Sequence, residues 1–239
     1  IVVGMINFSS TFDHYIIKYD ANGNTLWSKK YDSGNIDLLF EVATDSQDNI
    51  ILAGGVIQNG NQNAYLAKYN SNGHKTWEKI YDGGKEDTAY GVAVDSGDNI
   101  VWVGFSKRTD KDWFVTKYDS SGHQIWQKFH DSGQGDDGAS DVTIDQNDDI
   151  IVTGDKKIAV GSADRDFQTI KYDSGGNQMW QTFFNGPDNL DDYSTNASVD
   201  TKGDLLIGGG SRSTQGGFDY YTIKYELRSN APVSTRIVP

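Results

Sequence analysis

Five repeats of about 50 residues, built on a unit of four short strand patterns that is complete in the middle three, predict an all-β chain folded as a β-propeller of four-stranded antiparallel blades. The first observation behind this is a Lys-Tyr pair that returns at 18–19, 68–69, 117–118, 171–172 and 224–225. The second is a Gly five residues after the Lys (Gly23, Gly73, Gly122, Gly176) and a Trp nine after it (Trp27, Trp77, Trp126, Trp180). The third is punctuation, because 27 Gly against 3 Pro in 239 residues mark many tight turns rather than a linker.

The repeats divide one domain into blades at approximately 1–37, 38–87, 88–137, 138–192 and 193–228, with 229–239 as a tail or closing strand. In the third blade, strand a runs Ala89–Asp95, b Asn99–Phe105, c Trp113–Tyr118 and d Gln124–His130, each a β-branched or aromatic run bounded by Gly, Asp, Asn or Ser. The a–b turn (Asp95-Ser96-Gly97-Asp98-Asn99) and the c–d turn (Asp119-Ser120-Ser121-Gly122) suit positive-φ positions in tight hairpins. The b strands are apolar without alternation, as in Ile50-Ile51-Leu52 and Ile150-Ile151-Val152, which fits sheets packed on both faces. Ala43, Ala93, Thr143 and Ser198, two residues before each turn Asp, are small enough to let the innermost strands crowd a central channel. The count is about 18 strands, so ring closure is incomplete in this chain unless Val233–Val238 supplies another. Ile1-Val2-Val3-Gly4 matches Ile51-Leu52-Ala53-Gly54, so the sequence opens within a repeat and an upstream half-repeat or removed signal peptide is expected.

A formal charge of −13 repels phosphate backbones and anionic membranes, which argues against nucleic acid as a partner. With 0 Cys, thiol catalysis and Cys-based metal sites are excluded. No 18-residue apolar run is present, so no transmembrane helix is expected.

The consensus Asp-x4-Lys-Tyr-Asp-x2-Gly-x3-Trp, then Tyr-Asp-Gly-Gly-x2-Asp, then Val-Ala-Val-Asp-Ser-x-Asp-Asn-Ile, across residues 1–226, resembles the repeat of bacterial and archaeal seven-bladed β-propeller repeat proteins. The resemblance implies a secreted or cell-surface protein with a propeller architecture and no assigned chemistry. The Trp after a Gly turn is more weakly similar to the tryptophan-docking motif of quinoprotein propellers, whose vicinal cysteines have no counterpart here.

Residues present in every blade read as scaffold. The repeat Trp is expected to lie between blades and to donate one hydrogen bond. Lys18, Lys68, Lys117, Lys171 and Lys224 each come five residues after a polar one (Asp13, Asn63, Asp112, Asp166, Asp219), which predicts an inter-strand pair that fixes register. The d–a loop acids Asp37, Asp87, Asp137 and Asp192 and the turn acids Asp45, Asp95, Asp145 and Asp200 read as caps of their loops. Their oxygens also suit Ca²⁺, the minor reading; no cofactor and no metal site is assigned.

Variation concentrates in b–c loops at 5–13, 55–63, 105–112, 155–166 and 210–219, which share one rim with the d–a loops. Of five Arg, Arg108, Arg165 and Arg212 fall in three consecutive b–c loops, with Arg228 and Arg236 in the tail. Lys107, Lys111, Lys156 and Lys157 join them as a basic sector suited to a carboxylated or sulfated ligand, or else balancing Asp110, Asp155 and Asp164. Trp113 offers a face for a sugar ring, or is an inter-blade aromatic in register with Tyr15, Tyr65, Phe167 and Tyr220. His14 beside Tyr15, or a channel-mouth carboxylate such as Glu41 or Asp141, are the acid/base candidates. No nucleophile elbow, Walker loop or His-Glu-x-x-His motif is present. Asn7-Phe8-Ser9 and Asn196-Ala197-Ser198 are glycosylation sequons.

The residues together read as a non-catalytic binding or scaffold module, secreted or at the cell surface, with an acidic glycan or protein partner at the b–c rim. The alternatives are a polysaccharide lyase or hydrolase on acidic glycans, and a repeat segment of a larger surface assembly.

Overall fold

The computed structural model describes residues 1–8, 11–159, 164–227 and 233–238. These form nineteen strands and no helix, arranged as five antiparallel sheets with propeller-like repetition. The first sheet has three strands, β1 (Val2–Phe8), β2 (Thr11–Tyr19) and β3 (Thr25–Tyr31). The second is β4 (Asp37–Thr44), β5 (Ile50–Gln58), β6 (Asn61–Tyr69) and β7 (Lys75–Tyr81). The third is β8 (Asp87–Val94), β9 (Ile100–Lys107), β10 (Lys111–Tyr118) and β11 (Gln124–His130). The fourth is β12 (Gly138–Ile144), β13 (Ile150–Lys157), β14 (Arg165–Tyr172) and β15 (Gln178–Phe184). The fifth is β16 (Asp192–Val199), β17 (Leu205–Arg212), β18 (Phe218–Glu226) and β19 (Val233–Val238), so the tail segment pairs with β18 as an outer strand.

Three sequence expectations need correction, and the hairpins and the register come first. The b and c strands continue into long hairpins: β5 and β6 pair without interruption from Ile50↔Tyr69 to Gln58↔Asn61, leaving only Asn59 and Gly60 as the turn. Both have positive φ (53° and 78°), the geometry of a two-residue hairpin that matches strand twist. The expected nine-residue loop at 55–63 is therefore mostly strand. The second correction is register. Trp113, Phe167 and Tyr220 each stand four residues before the repeat Lys, whereas Tyr15 and Tyr65 stand three before it; a one-residue offset turns a strand side chain to the opposite face.

Apolar material lies between sheets rather than inside them. Four clusters fill the four successive joints, such as Ile51, Leu66, Ile100 and Phe114 at the second and Val101, Trp113, Ile150 and Ile170 at the third. A central sheet thus buries both faces, which explains the continuous apolar b strands: all seven leading residues of β5 are buried. The inner strands β4, β8, β12 and β16 pack on one another in succession, as their small residues allow. Among the described residues, the first and fifth sheets do not pack face to face.

Polar residues lock each of the first three joints at one node. The Lys117 ammonium lies 2.8 Å from Asp95 Oδ2 in the a–b turn of its own sheet and donates to the Ser174 carbonyl of the next sheet at 3.3 Å. Trp126 Nε1 donates to that same carbonyl at 3.2 Å. Lys68 and Trp77 repeat the arrangement on the Ser120 carbonyl, and Lys18 and Trp27 on the Ser71 carbonyl. The Lys partner is therefore the turn acid rather than the polar residue five positions earlier, because β-strand alternation and the hairpin bring the a–b turn beside the Lys. The turn Gly is required as well: Gly122 has φ +84°, and a Cβ there would sit 3.2 Å from the Trp77 ring.

Each turn acid divides its two oxygens. Asp95 Oδ1 accepts the Gly97 and Asn99 amides, an Asx-type turn, while Oδ2 takes Lys117. Burial pushes the Asp95 carboxyl up, but the Lys117 and Asn99 bonds outweigh it and hold the group below its ordinary value. A depressed carboxylate contributes stability that is present above its unfolded value and is lost as pH falls through the folded one. The Lys117 and Asp95 side chains are only 4% and 3% exposed, so removing one partner leaves a buried charge. Lys117→Ala is expected to cost about 3 kcal/mol, read as a lowered urea midpoint near neutral pH, with the deficit shrinking in acid as Asp95 is protonated.

Candidate binding site

A bulge recurs in every complete inner strand and builds the mouth of the channel. Pairing skips Phe40 in β4, Tyr90 in β8, Ser140 in β12 and Thr195 in β16. An unpaired residue re-aims its side chain, and all four converge on one cavity of about 450 Å³. Phe40 meets Tyr90 edge-on at 5.0 Å between ring centroids, and Tyr193 completes an aromatic lip over Glu41, Ser194 and Asn196.

The residue after each bulge points inward: Glu41, Gly91, Asp141 and Asn196. Glu41 accepts from the Val92 amide and shares a hydrogen bond with Asp141, two sheets away. Gly91 makes that reach possible, since a Cβ there would sit 3.0 Å from the Asp141 Cα. Asp141 in turn accepts the Ala197 and Val142 amides, both at 2.7 Å, so one carboxyl pair links four sheets around the axis. Burial, and then the Asp141 charge, push Glu41 up to about 8; at neutral pH it is protonated and donates.

A second cleft of about 140 Å³ adjoins the mouth and shares Tyr90 and Asp155 with it. Lys111 and Arg165 stand on its wall. Arg165 pairs with Asp155 at 2.7 Å, and Lys111 lies 3.3 Å from Glu86 and 3.8 Å above the Phe105 ring. Burial pushes Asp155 up to about 6 in spite of Arg165. Mouth and cleft together make a groove from the channel axis to the b–c rim, aromatic at one end and cationic within an acidic surround at the other.

The rest of the basic sector does not converge on this groove. Arg108 stacks 4.0 Å above Phe129, and Lys156 lies 4.5 Å over Phe183. Lys107 and Lys157 are half-buried strand ends whose amides bond Glu86 and Asp137. Arg212 is exposed beside the Asp191 carbonyl. Arg228 lies outside the described residues.

Three sequence candidates are displaced. Trp113 is fully buried in the third joint, with its indole donating to the Asp155 carbonyl at 3.0 Å, so it offers no face to a sugar. His14 is fully buried, stacked on Tyr31 and bonded to the Leu38 carbonyl at 3.0 Å, and burial lowers its basicity. Tyr15 points to the opposite face of β2, so the two cannot act as an acid/base pair. Among the acids, Asp13, Asp32 and Asp37 have ligand atoms within 4.8 Å of one another, but the Lys30 ammonium lies 2.7 Å from Asp13 and 3.1 Å from Asp32 and supplies the positive charge there. The sequence signal for the mouth was a variable position, Phe40, Tyr90, Ser140 and Thr195, inside an otherwise regular strand.

No family model and no curated protein matches this sequence. Among solved structures, a protein of unknown function from Dyadobacter fermentans DSM 18053 aligns over 94% of this chain and 72% of its own length, at TM-score 0.57 and 11% identity. A chain of Drosophila Plexin A in complex with Semaphorin 1b aligns over 90% of this chain, at TM-score 0.54 and 8% identity; this protein spans 49% of that chain. These likenesses support a propeller-like β-sheet fold and nothing finer.

Glu41 gives the mouth a pH signature. With a folded pKa of about 8 against an ordinary 4.5, its contribution to stability is full below 4.5 and is lost as pH rises through 8. Glu41→Gln keeps the hydrogen bond donor and cannot ionise. Its stability by urea titration is expected to decline less than that of the wild type between those two pH values.

Proposed function

We propose that this chain is a non-catalytic recognition module on a five-repeat β-propeller, secreted or displayed at a cell surface, that takes a saccharide in the groove between channel mouth and rim. The observation that carries this reading is the continuity of the two depressions through Tyr90 and Asp155. Aromatic faces stack on the apolar face of a pyranose, and the Ser, Thr and Asn side chains beside them pair with its hydroxyls. Lys111 and Arg165 suit a carboxylate or sulfate substituent. A net charge of −13 repels a dense polyanion, so a sparsely substituted chain fits better than a highly acidic one.

A second reading, an enzyme acting on acidic glycans, draws on Glu41, protonated at neutral pH in an open cavity. Its geometry argues the other way. Glu41 and Asp141 are engaged with each other, and both Asp141 oxygens already accept backbone amides, from Val142 and Ala197, so neither carboxyl stands free on its own side of a ligand.

Both readings are tested by incubating the protein with neutral and acidic polysaccharides while measuring retention and released oligosaccharides by mass spectrometry. Retention without products, weakened about tenfold in Tyr90→Ala and in Arg165→Ala, is the expected outcome. Released products abolished by Glu41→Gln would replace it with the enzymatic reading. Retention unchanged in both variants would exclude the groove as the place of binding.

A further inference from the structure

The Arg165–Asp155 ion pair lies inside the groove, because Asp155 lines both the mouth and the cleft and Arg165 stands on the cleft wall. It is not sealed like the scaffold pairs: its side chains are 36% and 12% exposed, against 4% and 3% for Lys117 and Asp95. The contact is also single. Arg165 Nη1 donates to Asp155 Oδ2 at 2.7 Å, and among the described residues this side chain has no other hydrogen bond. A guanidinium carries five donors in a planar fork, so most of this one is unused. Asp155 Oδ1 accepts no hydrogen bond among the described residues, and it lies 3.6 Å from where a Cβ on Gly138 would stand. Gly138 lines the cleft too, so its bare backbone leaves that oxygen open to the cleft.

Asp155 sets the sign of the cleft. The wall carries three carboxylates, Asp136, Asp137 and Asp155, against two cations, Lys111 and Arg165. An anion therefore meets a net negative wall while Asp155 is ionised and a balanced one once it holds a proton. The other two acids are committed to main-chain amides: Asp136 accepts from Lys111 at 3.0 Å, and Asp137 from Lys157 at 2.7 Å and Ser132 at 2.8 Å. The groups around Asp155 are Arg165 of β14, Asp136 and Asp137 ahead of β12, Asp191 ahead of β16, Lys111 of β10, Tyr90 of β8 and Tyr193 of β16. Burial has the largest effect on its carboxyl; Arg165 opposes burial, Asp137 and Asp191 reinforce it, and the group is pushed up to about 6.

Resting on the saccharide reading above, we propose that Asp155 gates the cationic end of the groove: ionised, it occupies Arg165, and on taking a proton from solvent it releases the guanidinium to a sulfate ester on the bound sugar. A sulfate ester stays ionised throughout the range in which Asp155 titrates and carries no proton of its own. The protein supplies the donors, which are the Arg165 fork and the hydroxyl of protonated Asp155. Recognition is then strongest in mild acid and is lost as pH rises through about 6, when the carboxylate returns to Arg165. By linkage, bound sulfate raises the pH at which Asp155 titrates.

Calorimetric titration of the full chain with inorganic sulfate, at constant ionic strength and at about pH 7 and about pH 5, tests the gate by itself; galactose 6-sulfate against galactose tests it on a sugar. A site open only in molecules that hold the Asp155 proton is expected to bind sulfate about tenfold more tightly at the lower pH. Asp155→Asn keeps the shape and cannot ionise, so it is expected to bind at both pH values as the wild type does in acid. Arg165→Ala is expected to lose the acid-dependent gain. Trp113 bonds the main-chain carbonyl of residue 155, so neither variant removes that contact from the third joint. No sulfate binding at either pH, equal affinity at both, or a pH dependence that persists in Asp155→Asn would each overturn the gate. Acid-dependent sulfate binding without retention of either sugar would support the gate and remove the saccharide reading, whereas sugar binding indifferent to pH and to the sulfate group would overturn the gate and leave that reading standing.

Discussion

The structure depends on the node where a Lys, a turn Asp, a Trp and a turn carbonyl of the next sheet meet. Hydrophobic burial supplies most of the favourable energy at each joint but is non-directional, so by itself it would let neighbouring sheets slide. A carbonyl that accepts from both the Trp126 indole and the Lys117 ammonium fixes that position. The Asp95 carboxylate does three things at once: it orders its own turn, balances the Lys and ties the inner hairpin to the third strand of the sheet. The full node also stands at the second joint, with Lys68, Asp45, Trp77 and Ser120, and the first joint keeps its Lys, Trp and carbonyl.

With the joints held this way, the inner strands can depart from regularity. The bulges at Phe40, Tyr90, Ser140 and Thr195 interrupt the ladder at its most crowded place, where four strands converge. Each releases one side chain into the channel mouth and leaves the next residue facing the axis. Glu41 and Asp141 belong to sheets two apart and meet only because Gly91 carries no side chain between them. The groove is thus a consequence of repetition with one position left free to vary. Its cations are the two members of the basic sector whose hairpins flank the same cleft, Lys111 and Arg165.

The repeat was legible because scaffold residues recur at fixed spacing, and the turn acids could be read as loop caps because one stands at the start of each a–b turn. Less of the site was legible. Trp113 looked available to a ligand because it begins a strand beside a variable segment, yet a one-residue register offset turns it into the third joint. His14 looked close to the rim and is enclosed by Tyr31 and Tyr65 from two sheets. The length of the β5–β6 hairpin was underestimated because Gln62 and Asn63 are polar, and strand pairing beyond the packed core does not need apolar side chains.

Taken alone, the sequence determined the architecture: the number of repeats, the four-strand unit behind them, the turns and the residues that recur at joints. These stem from local chemistry, since strand alternation, turn glycines and Asx turns act within a few residues of one another. Tertiary structure decided which recurrent charges pair, which single residues face solvent and where a ligand-sized space lies. Those depend on contacts between sheets some 50 residues apart in sequence, such as Lys117 with Ser174 and Asp141 with Ala197, whose separations are 57 and 56. A repeat period reports that such neighbours exist but not how far one sheet rotates on the next, and that rotation brings Glu41 to Asp141 and Tyr90 between mouth and cleft.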